Sequence, residues 1–314
     1  MGEVVRDNAQ LFVESIDLVG STTLSGLFYG IGFSLYCLCA HFLYRSHSRK
    51  PYQRRHITFS LVHATVLIIL ATIYLVLTTQ TIHISFIYHN DFPGGPVAYQ
   101  ETVLHSQPIY YISTIASFSL GILTLAIQIW RLRVIWSGTR YAVVIVSFAI
   151  LLFIGFITFT AISITVWSLP ANPISDNAAI SISISAYAFG SATTIFVTLL
   201  VSVRLILIRR RHLKLLGPSE STQQYMNIVA ILVESYALES AWSLTTTLLV
   251  AIDSNPVNVL FFQCENFVRV IAYFLVLYRV SRGSAWSQQT EQHLTSLCWN
   301  RDGGETSETM TERV

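Results

Sequence analysis

Seven long apolar runs dominate the chain and restrict the folds that are open to it. Each holds about 20 or more residues, the length that an α-helix needs to cross a bilayer core about 30 Å thick. Charged residues make up 11% of the sequence, against about 25% in a soluble domain. We therefore expect an all-α fold, a bundle of seven transmembrane helices in contact with the lipid bilayer. The predicted spans are about 22–44, 57–80, 108–130, 141–167, 179–206, 225–252 and 257–280.

Basic residues in the joining segments predict how the bundle is oriented. Cytoplasmic loops of membrane proteins are enriched in Lys and Arg. Here the basic segments are 45–56, 131–140 and 207–224, and the segments without Lys or Arg are 81–107, 168–178 and 253–256. The N-terminus is therefore expected outside and the C-terminus in the cytoplasm, most simply in the plasma membrane. This divides the chain into an extracellular segment 1–21, a membrane domain 22–283 and a cytoplasmic tail 284–314.

The last two predicted spans contain charged side chains. A charge near the bilayer centre costs about 2.5–3.5 kcal/mol on insertion scales, so each needs a partner, a proton or water. Three acids against one base leave an excess of negative charge, and we expect at least one glutamate to be neutral. The predicted intramembrane polar cluster consists of Glu234, Glu239, Glu265 and Arg269.

Spacing predicts which members of this cluster meet. Glu265 and Arg269 are four apart, so they lie on one helix face and can pair within the helix. Glu234 and Glu239 are five apart, about 140° around the helix, so they face different neighbours. Counting about 1.5 Å per residue places Glu265 near the level of Glu239 and Arg269 near that of Glu234. Arg269 can therefore choose between two carboxylates. The cluster is either a structural clasp between two helices or a proton-linked switch or transport site.

The cytoplasmic side carries two further features. Arginines at the ends of the third and fifth spans are predicted to form a cytoplasmic coupling surface, namely Arg131, Arg133, Arg204, Arg209, Arg210 and Arg211. In the tail, Cys298 lies among apolar residues that could form a short helix on the inner membrane surface, where Cys298 would be a palmitoylation site. A loosely ordered tail is the alternative.

Two other segments allow more than one interpretation. The outside segment 81–107 contains histidines and acids around a Pro-Gly-Gly-Pro turn. It could cap a ligand pocket or bind a metal ion weakly, but the histidines lack the tight spacing of a metal site, which favours a solvated turn and no metal. In the first span, Gly26 and Gly30 form a GxxxG motif that lets another helix approach closely. We expect packing inside the bundle rather than dimerisation.

Motifs of enzymes and cofactor-binding proteins are missing from the sequence. It contains no HExxH, no CxxC and no phosphate-cradling glycine loop. A retinal protein needs a lysine in the bundle for its Schiff base, and Lys50 and Lys214 both lie in predicted cytoplasmic loops. A net charge of +2 is too small to indicate nucleic-acid binding. We expect a protein that is not an enzyme and has no cofactor.

Short motifs, mostly in the C-terminal half, carry a family resemblance. They are Arg204 followed by Arg209-Arg210-Arg211, then Ile231-Leu232-Val233-Glu234-Ser235, Tyr278-Arg279-Val280-Ser281-Arg282-Gly283, and Tyr29-Gly30 in the first span. With these motifs the chain resembles the large group of uncharacterised seven-span proteins of mushroom-forming fungi. The resemblance implies an orphan, GPCR-like membrane protein and brings no ligand with it. Glu239 stands where the resemblance implies an uncharged residue.

Two functions are compatible with these features. In the first, an extracellular small-molecule or peptide ligand enters the outer half of the bundle and shifts helices, changing the basic face seen by a cytoplasmic signalling protein. In the second, the chain is a proton-coupled small-solute transporter or channel that uses Glu234, Glu239 and Glu265. Carriers are usually built from paired repeats with broken helices, and the sequence shows neither a repeat nor Gly or Pro breaks in mid-span. The receptor is therefore the preferred hypothesis.

Overall fold

The structure is a computed structural model that describes residues 8–49, 54–104, 107–168, 176–216, 220–252 and 257–302. The regular elements in these ranges are all helical, which confirms the predicted all-α class for this part of the chain. A π-helical turn, Val19–Leu24, joins α1 directly to α2, and a second, Ile84–Tyr88, extends α3. The helices are α1 Asn8–Leu18, α2 Ser25–Arg49, α3 Arg54–His83, α4 Gly95–Thr102, α5 Pro108–Trp136, α6 Ala142–Ser168, α7 Asp176–Leu216, α8 Glu220–Ile252 and α9 Val257–Asp302.

Within the described ranges, six helical stretches are long and apolar enough to cross a membrane. Their length and composition are those that an integral, multi-pass membrane protein requires. Each of them covers all or nearly all of one of the apolar runs predicted from the sequence, with at most two residues missing at an end. The stretches are Leu11–His47, Ile57–Tyr88, Pro108–Trp136, Ala142–Val166, Ala178–Arg204 and Val257–Arg279.

The remaining predicted span, 225–252, lies in α8 and is not among the six. Side chains of α8 are described only from Glu234 onward. This half carries Glu234, Glu239 and several Ser and Thr residues, which lower its hydropathy. The described residues therefore form six apolar spans and one long, more polar helix.

The C-terminal helix α9 lies at the centre of the bundle. Every residue from Cys264 to Phe274 is buried, and 67% of the most apolar window in Val257–Arg279 is buried, against 11% in Ala142–Val166 of α6. Yet α6 is the more apolar of the two, with a mean hydropathy of 2.8 against 1.6. In a bilayer the more apolar helix is expected to be the less buried one, because lipid solvates apolar side chains while polar groups need protein partners.

Two clusters of buried apolar side chains hold the helices around α9. The first joins α2, α3 and α5 to α9, and the second joins α5, α6, α7 and α8 to the later turns of α9. Members of the first include Cys39, Leu67, Ala71, Leu120, Phe267 and Phe274. Members of the second include Leu132, Ala149, Val197, Val201, Tyr236 and Val276.

Hydrogen bonds between helices supplement this packing. Tyr29 on α2 bonds to Thr72 on α3 at 2.8 Å, and Trp136 on α5 donates to the backbone oxygen of Leu200 on α7 at 3.3 Å. Interhelical bonds of this kind contribute about 0.6 kcal/mol on average within membranes. They fix which faces of the helices meet, more than they add stability.

The close helix approach predicted from the GxxxG motif occurs elsewhere. A Cβ placed on Gly26 or Gly30 would meet nothing within 4 Å, so the expectation that these glycines pack inside the bundle is wrong. A Cβ on Gly155 of α6 would lie 2.7 Å from the ring of Phe189 on α7. The packing that requires a glycine is therefore between α6 and α7, which the spacing of glycines in the sequence does not reveal.

Gly155→Ala is expected to destabilise the protein. The added methyl group would press on the Phe189 ring, which is already stacked on Phe159 with 5.1 Å between ring centroids. Overpacking of this kind costs about 1–3 kcal/mol, so the apparent Tm of the purified protein in detergent should fall. Gly30→Ala is the matched control and should leave Tm unchanged or raise it, because Ala favours helix. Equal losses in both variants would contradict the α6–α7 contact.

Candidate functional site

A cavity of about 510 Å³ lies at the end of the bundle that carries α1 and α4. Side chains from α1, α3, α4, α5, α6, α7 and α9 line it. Its volume falls in the range typical of small-molecule sites, about 300–1,000 Å³. We therefore take this cavity as the candidate functional site.

Helix α9 supplies one continuous face of the cavity. This face begins with polar and aromatic residues at the start of the helix and ends at a charged pair about three turns later. Its members are Asn258, Val259, Phe262, Gln263, Glu265, Asn266 and Arg269. Aromatic side chains of the other helices form much of the wall, among them Tyr74, Tyr110, Tyr111, Phe118, Phe156 and Tyr187.

The cavity floor is an ion pair within α9. Arg269 Nη2 donates to Glu265 Oε1 one turn earlier, so the pair predicted from the spacing is present. The side chains are only 8% and 7% exposed, respectively. Ser243 on α8 also donates to Glu265 Oε1, at 3.2 Å, and Asn266 donates to Ser117 on α5 at 2.7 Å. The Nε atom of Arg269 has no hydrogen-bond partner.

Two glycines leave room for the Arg269 guanidinium. A Cβ on Gly121 of α5 would lie 3.2 Å from Nη1, and a Cβ on Gly190 of α7 would lie 3.9 Å from Nη2. Both would also meet the Phe156 ring, at 3.3 and 3.1 Å. The guanidinium is thus held between α5, α7 and an aromatic ring of α6.

The cavity ceiling is a hydrogen-bonded clasp around Asp17 on α1. Gln100 on α4 donates to Asp17 Oδ2 at 3.0 Å, and Gln263 on α9 donates to Oδ1 at 2.9 Å. The single hydroxyl proton of Ser21, one turn after Asp17, can go to Gln263 Oε1 at 2.5 Å or to Asp17 Oδ1 at 3.2 Å. The clasp joins the N-terminal helix and the segment before α5 to the central helix.

The ceiling was not found from the sequence. Asp17 lies in segment 1–21, which is predicted only to be extracellular; it follows Glu14 by three residues in α1, and both side chains are buried. Such a pair on one helix face indicates contact with a polar neighbour.

For segment 81–107, Val97, Gln100 and Leu104 line the cavity, which favours the capping interpretation over a solvated turn. Among the described residues, no group of three His, Cys, Asp or Glu side chains is placed to hold a metal ion.

Glu239 lies in a second polar layer. Gln128 Nε2 on α5 donates to both of its carboxylate oxygens, each at 2.7 Å. Glu239 is only 1% exposed, and Arg269 and Arg131 are the cations that act on it electrostatically. Ser243, Glu239 and Tyr236 follow at intervals of four and three residues along one face of α8. Glu239 is therefore one turn from the floor of the cavity.

A third layer lies one further turn along these helices. Arg131 on α5 donates to the Tyr236 hydroxyl on α8 at 3.3 Å, and its guanidinium lies 5.0 Å from the ring centroid of Tyr273 on α9. Tyr273 follows Arg269 by one turn. We call these three layers the polar ladder. Its members are Glu265, Arg269 and Ser243 at the floor, Glu239 and Gln128 in the second layer, and Arg131, Tyr236 and Tyr273 in the third.

Glu234 does not belong to the predicted intramembrane cluster. Its side chain is exposed, whereas Glu239 faces the interior. The rotation of about 140° between positions five apart explains the difference, because a helix that buries one must turn the other away. Arg269 consequently pairs with Glu265 in its own helix. Within the bundle, Glu239 is the second acid near it.

Only some of the arginines predicted to form the cytoplasmic coupling surface are exposed. Arg131 is half-buried and bonded inside the bundle, and the Arg204 guanidinium lies 5.5 Å from the Trp136 ring. Arg133 and Arg210 are exposed, as predicted. The side chains of Arg209, Arg211 and Cys298 lie outside the described residues, although the helices that carry them are described.

Comparison with known proteins gives no match. No protein-family model, no curated protein and no solved structure matches the chain.

Arg269→Met is expected to destabilise the bundle. The substitution leaves Glu265 buried without its cation, and breaking a buried ion pair costs about 3–5 kcal/mol. The apparent Tm in detergent should fall by several degrees, and Glu265→Gln added to Arg269→Met should restore much of the loss. Glu234→Gln, which removes an exposed carboxylate, is the control and should change Tm little. If the changes in Tm caused by Arg269→Met and Glu265→Gln simply add in the double variant, the two side chains do not stabilise the protein as a pair.

Proposed function

We propose that this chain is a seven-span, receptor-like membrane protein that binds a small molecule in the cavity and transmits binding to its cytoplasmic face. The cavity between the Asp17 clasp and the Glu265–Arg269 pair is the observation that carries the proposal. No catalytic role is part of it. The resemblance to the seven-span proteins of mushroom-forming fungi is consistent with the same proposal.

In this proposal α8 is the remaining span. Its 33 residues extend about 50 Å at 1.5 Å per residue, enough to cross a bilayer. The basic joining segments then lie in the cytoplasm, by the positive-inside rule. The cavity consequently opens toward the outside, where α1 and segment 81–107 form its ceiling. The protein would reside in the plasma membrane, where an extracellular ligand could reach it.

The polar ladder supplies a route from the cavity to the cytoplasmic end. Arg269 has two acids within its electrostatic reach, Glu265 at the floor and Glu239 in the second layer. A ligand that competes for Glu265 would favour the pairing of Arg269 with Glu239. Gln128, which now bonds Glu239, lies one turn from Arg131 in the third layer. The two pairings of Arg269 form a contact with two states, whose populations ligand binding shifts.

The coupling can be tested without a ligand by releasing Arg269 from Glu265. Spin labels are placed at Arg133→Cys on α5 and Arg210→Cys on α7, both exposed positions, after replacement of the exposed Cys37 and of Cys298 by serine. We expect Glu265→Gln to shift the distance distribution between the labels by about 1–2 Å, the size of a helix shift in switching proteins. Glu234→Gln removes the same charge outside the ladder and should leave the distribution unchanged. Identical distributions in both variants would contradict coupling through Arg269.

Proton flux separates this proposal from a proton-coupled transporter or channel. A carrier requires acids that act in series, and Glu234 faces away from Glu239 and Glu265. We therefore expect purified protein in sealed vesicles to pass no more protons than empty vesicles under a pH gradient and voltage. Flux that is present in the wild type and abolished by Glu239→Gln would establish transport and reject the receptor proposal.

A further inference from the structure

The charged side chains that line the described part of the cavity do not balance. They are Asp17, Glu265 and Arg269, two acids and one base, which leaves an excess of one negative charge. A buried charge without a counter-charge is unfavourable in a medium of low dielectric. The cavity is therefore better suited to a cation than to an anion.

Within the described part of the chain, Asp17 is the acid of the cavity that has no basic partner. Its hydrogen-bond partners among the described residues, Gln100, Gln263 and Ser21, are all neutral groups. Glu265, by contrast, is bonded to Arg269 in the same helix. Asp17 is only 5% exposed, so bulk water solvates its carboxylate little. A positively charged group in the cavity would supply the missing partner at the ceiling.

Two threonine hydroxyl groups of the lining act toward a ligand only as hydrogen-bond acceptors, whereas Thr160 Oγ1 has no partner and can still donate. Thr81 and Thr114 each donate their proton to a backbone oxygen one turn earlier, at 2.9 Å. Their oxygens can then only accept hydrogen bonds from a ligand. The amides of Gln263 and Asn266 direct N–H groups to Asp17 and Ser117. A ligand with several N–H donors fits this lining better than one with carboxylate or phosphate oxygens.

The walls provide the surface for an apolar body. The rings of Tyr74, Phe118, Phe156 and Tyr187 face the same cavity. Aromatic rings pack against apolar groups and attract cations through their faces. A volume of about 510 Å³ accommodates a molecule of one or two rings.

We infer that the ligand of this cavity is a protonated organic amine with an aromatic or aliphatic body, whose ammonium group binds Asp17. The inference rests on the proposed function, because it names the ligand class of the same cavity. An anion would meet two carboxylates, and the charge of Arg269 is balanced by Glu265 although its Nε has no hydrogen-bond partner. A neutral molecule would leave Asp17 without a counter-charge.

The test uses two series of compounds that share a body and differ in head-group charge. The first is tryptamine, tryptophol and indole-3-propionate, and the second is phenethylamine, 2-phenylethanol and 3-phenylpropionate. Binding to the full-length purified protein in nanodiscs is measured by calorimetry and by the shift in Tm. In at least one series, we expect the amine to bind at least tenfold more tightly than its alcohol and its acid. An alcohol or acid that binds as tightly as the amine in both series, or no binding at all, overturns the assignment.

Two variants test whether the amine binds in the cavity beside Asp17. Asp17→Asn keeps the side chain's size and removes its charge, so it should abolish the preference for the amine. Asp91→Asn removes an exposed acid from segment 81–107 and should preserve it. Amine binding that is equal in both variants would overturn the role of Asp17. The head-group comparison in the wild type needs no variant and stays decisive if Asp17→Asn fails to fold.

Failure of the amine assignment differs from failure of the proposed receptor. If an alcohol or acid binds as tightly as the amine and Ala186→Phe, which fills part of the cavity, blocks its binding, the ligand class is wrong and the cavity remains a binding site. The proposed receptor fails instead if Glu265→Gln leaves the cytoplasmic label distances unchanged, a result that is independent of any ligand.

Discussion

A buried arginine held by a carboxylate one turn earlier organises this bundle. Inside a membrane protein a cation requires a partner of opposite charge, and the i,i+4 spacing of Glu265 and Arg269 supplies it within one helix. The surrounding helices are shaped to this pair: Gly121 and Gly190 leave space for the guanidinium, and Ser243 bonds the carboxylate. The central position of α9 follows, because the pair must be enclosed by protein on every side.

The distribution of hydropathy across the helices has the same origin. The most apolar span, in α6, is the least buried by protein, and the less apolar α9 is the most buried. Lipid accepts apolar side chains as readily as a protein core does, so burying them against protein gains little. Polar side chains gain most from protein partners, and they therefore gather along α5, α8 and α9, where the polar ladder runs.

The cavity and the ladder share the Glu265–Arg269 pair. The pair lies at the bottom of the cavity and forms the first layer of the ladder, so a molecule in the cavity would lie beside the contact that leads toward the opposite end of the bundle. Glu239, held by Gln128, is the second acid within electrostatic reach of Arg269. At the opposite end, Asp17 joins α1, α4 and α9 through neutral donors. Among the described residues that line the cavity, this arrangement leaves an excess of one negative charge.

Features that depend on local spacing were predictable from the residues alone. Helical class, the approximate bounds of the six apolar spans and the Glu265–Arg269 pair follow from run length and from the period of the helix. Features that depend on how a helix is rotated against its neighbours were not. Examples are the outward direction of Glu234, the inward direction of Arg131 and the empty space around Gly26 and Gly30. The Asp17 clasp, which joins residues 83 and 246 positions apart in the chain, also required the tertiary structure. In all these cases the sequence specifies which side chains share a helix face, whereas packing specifies what that face meets.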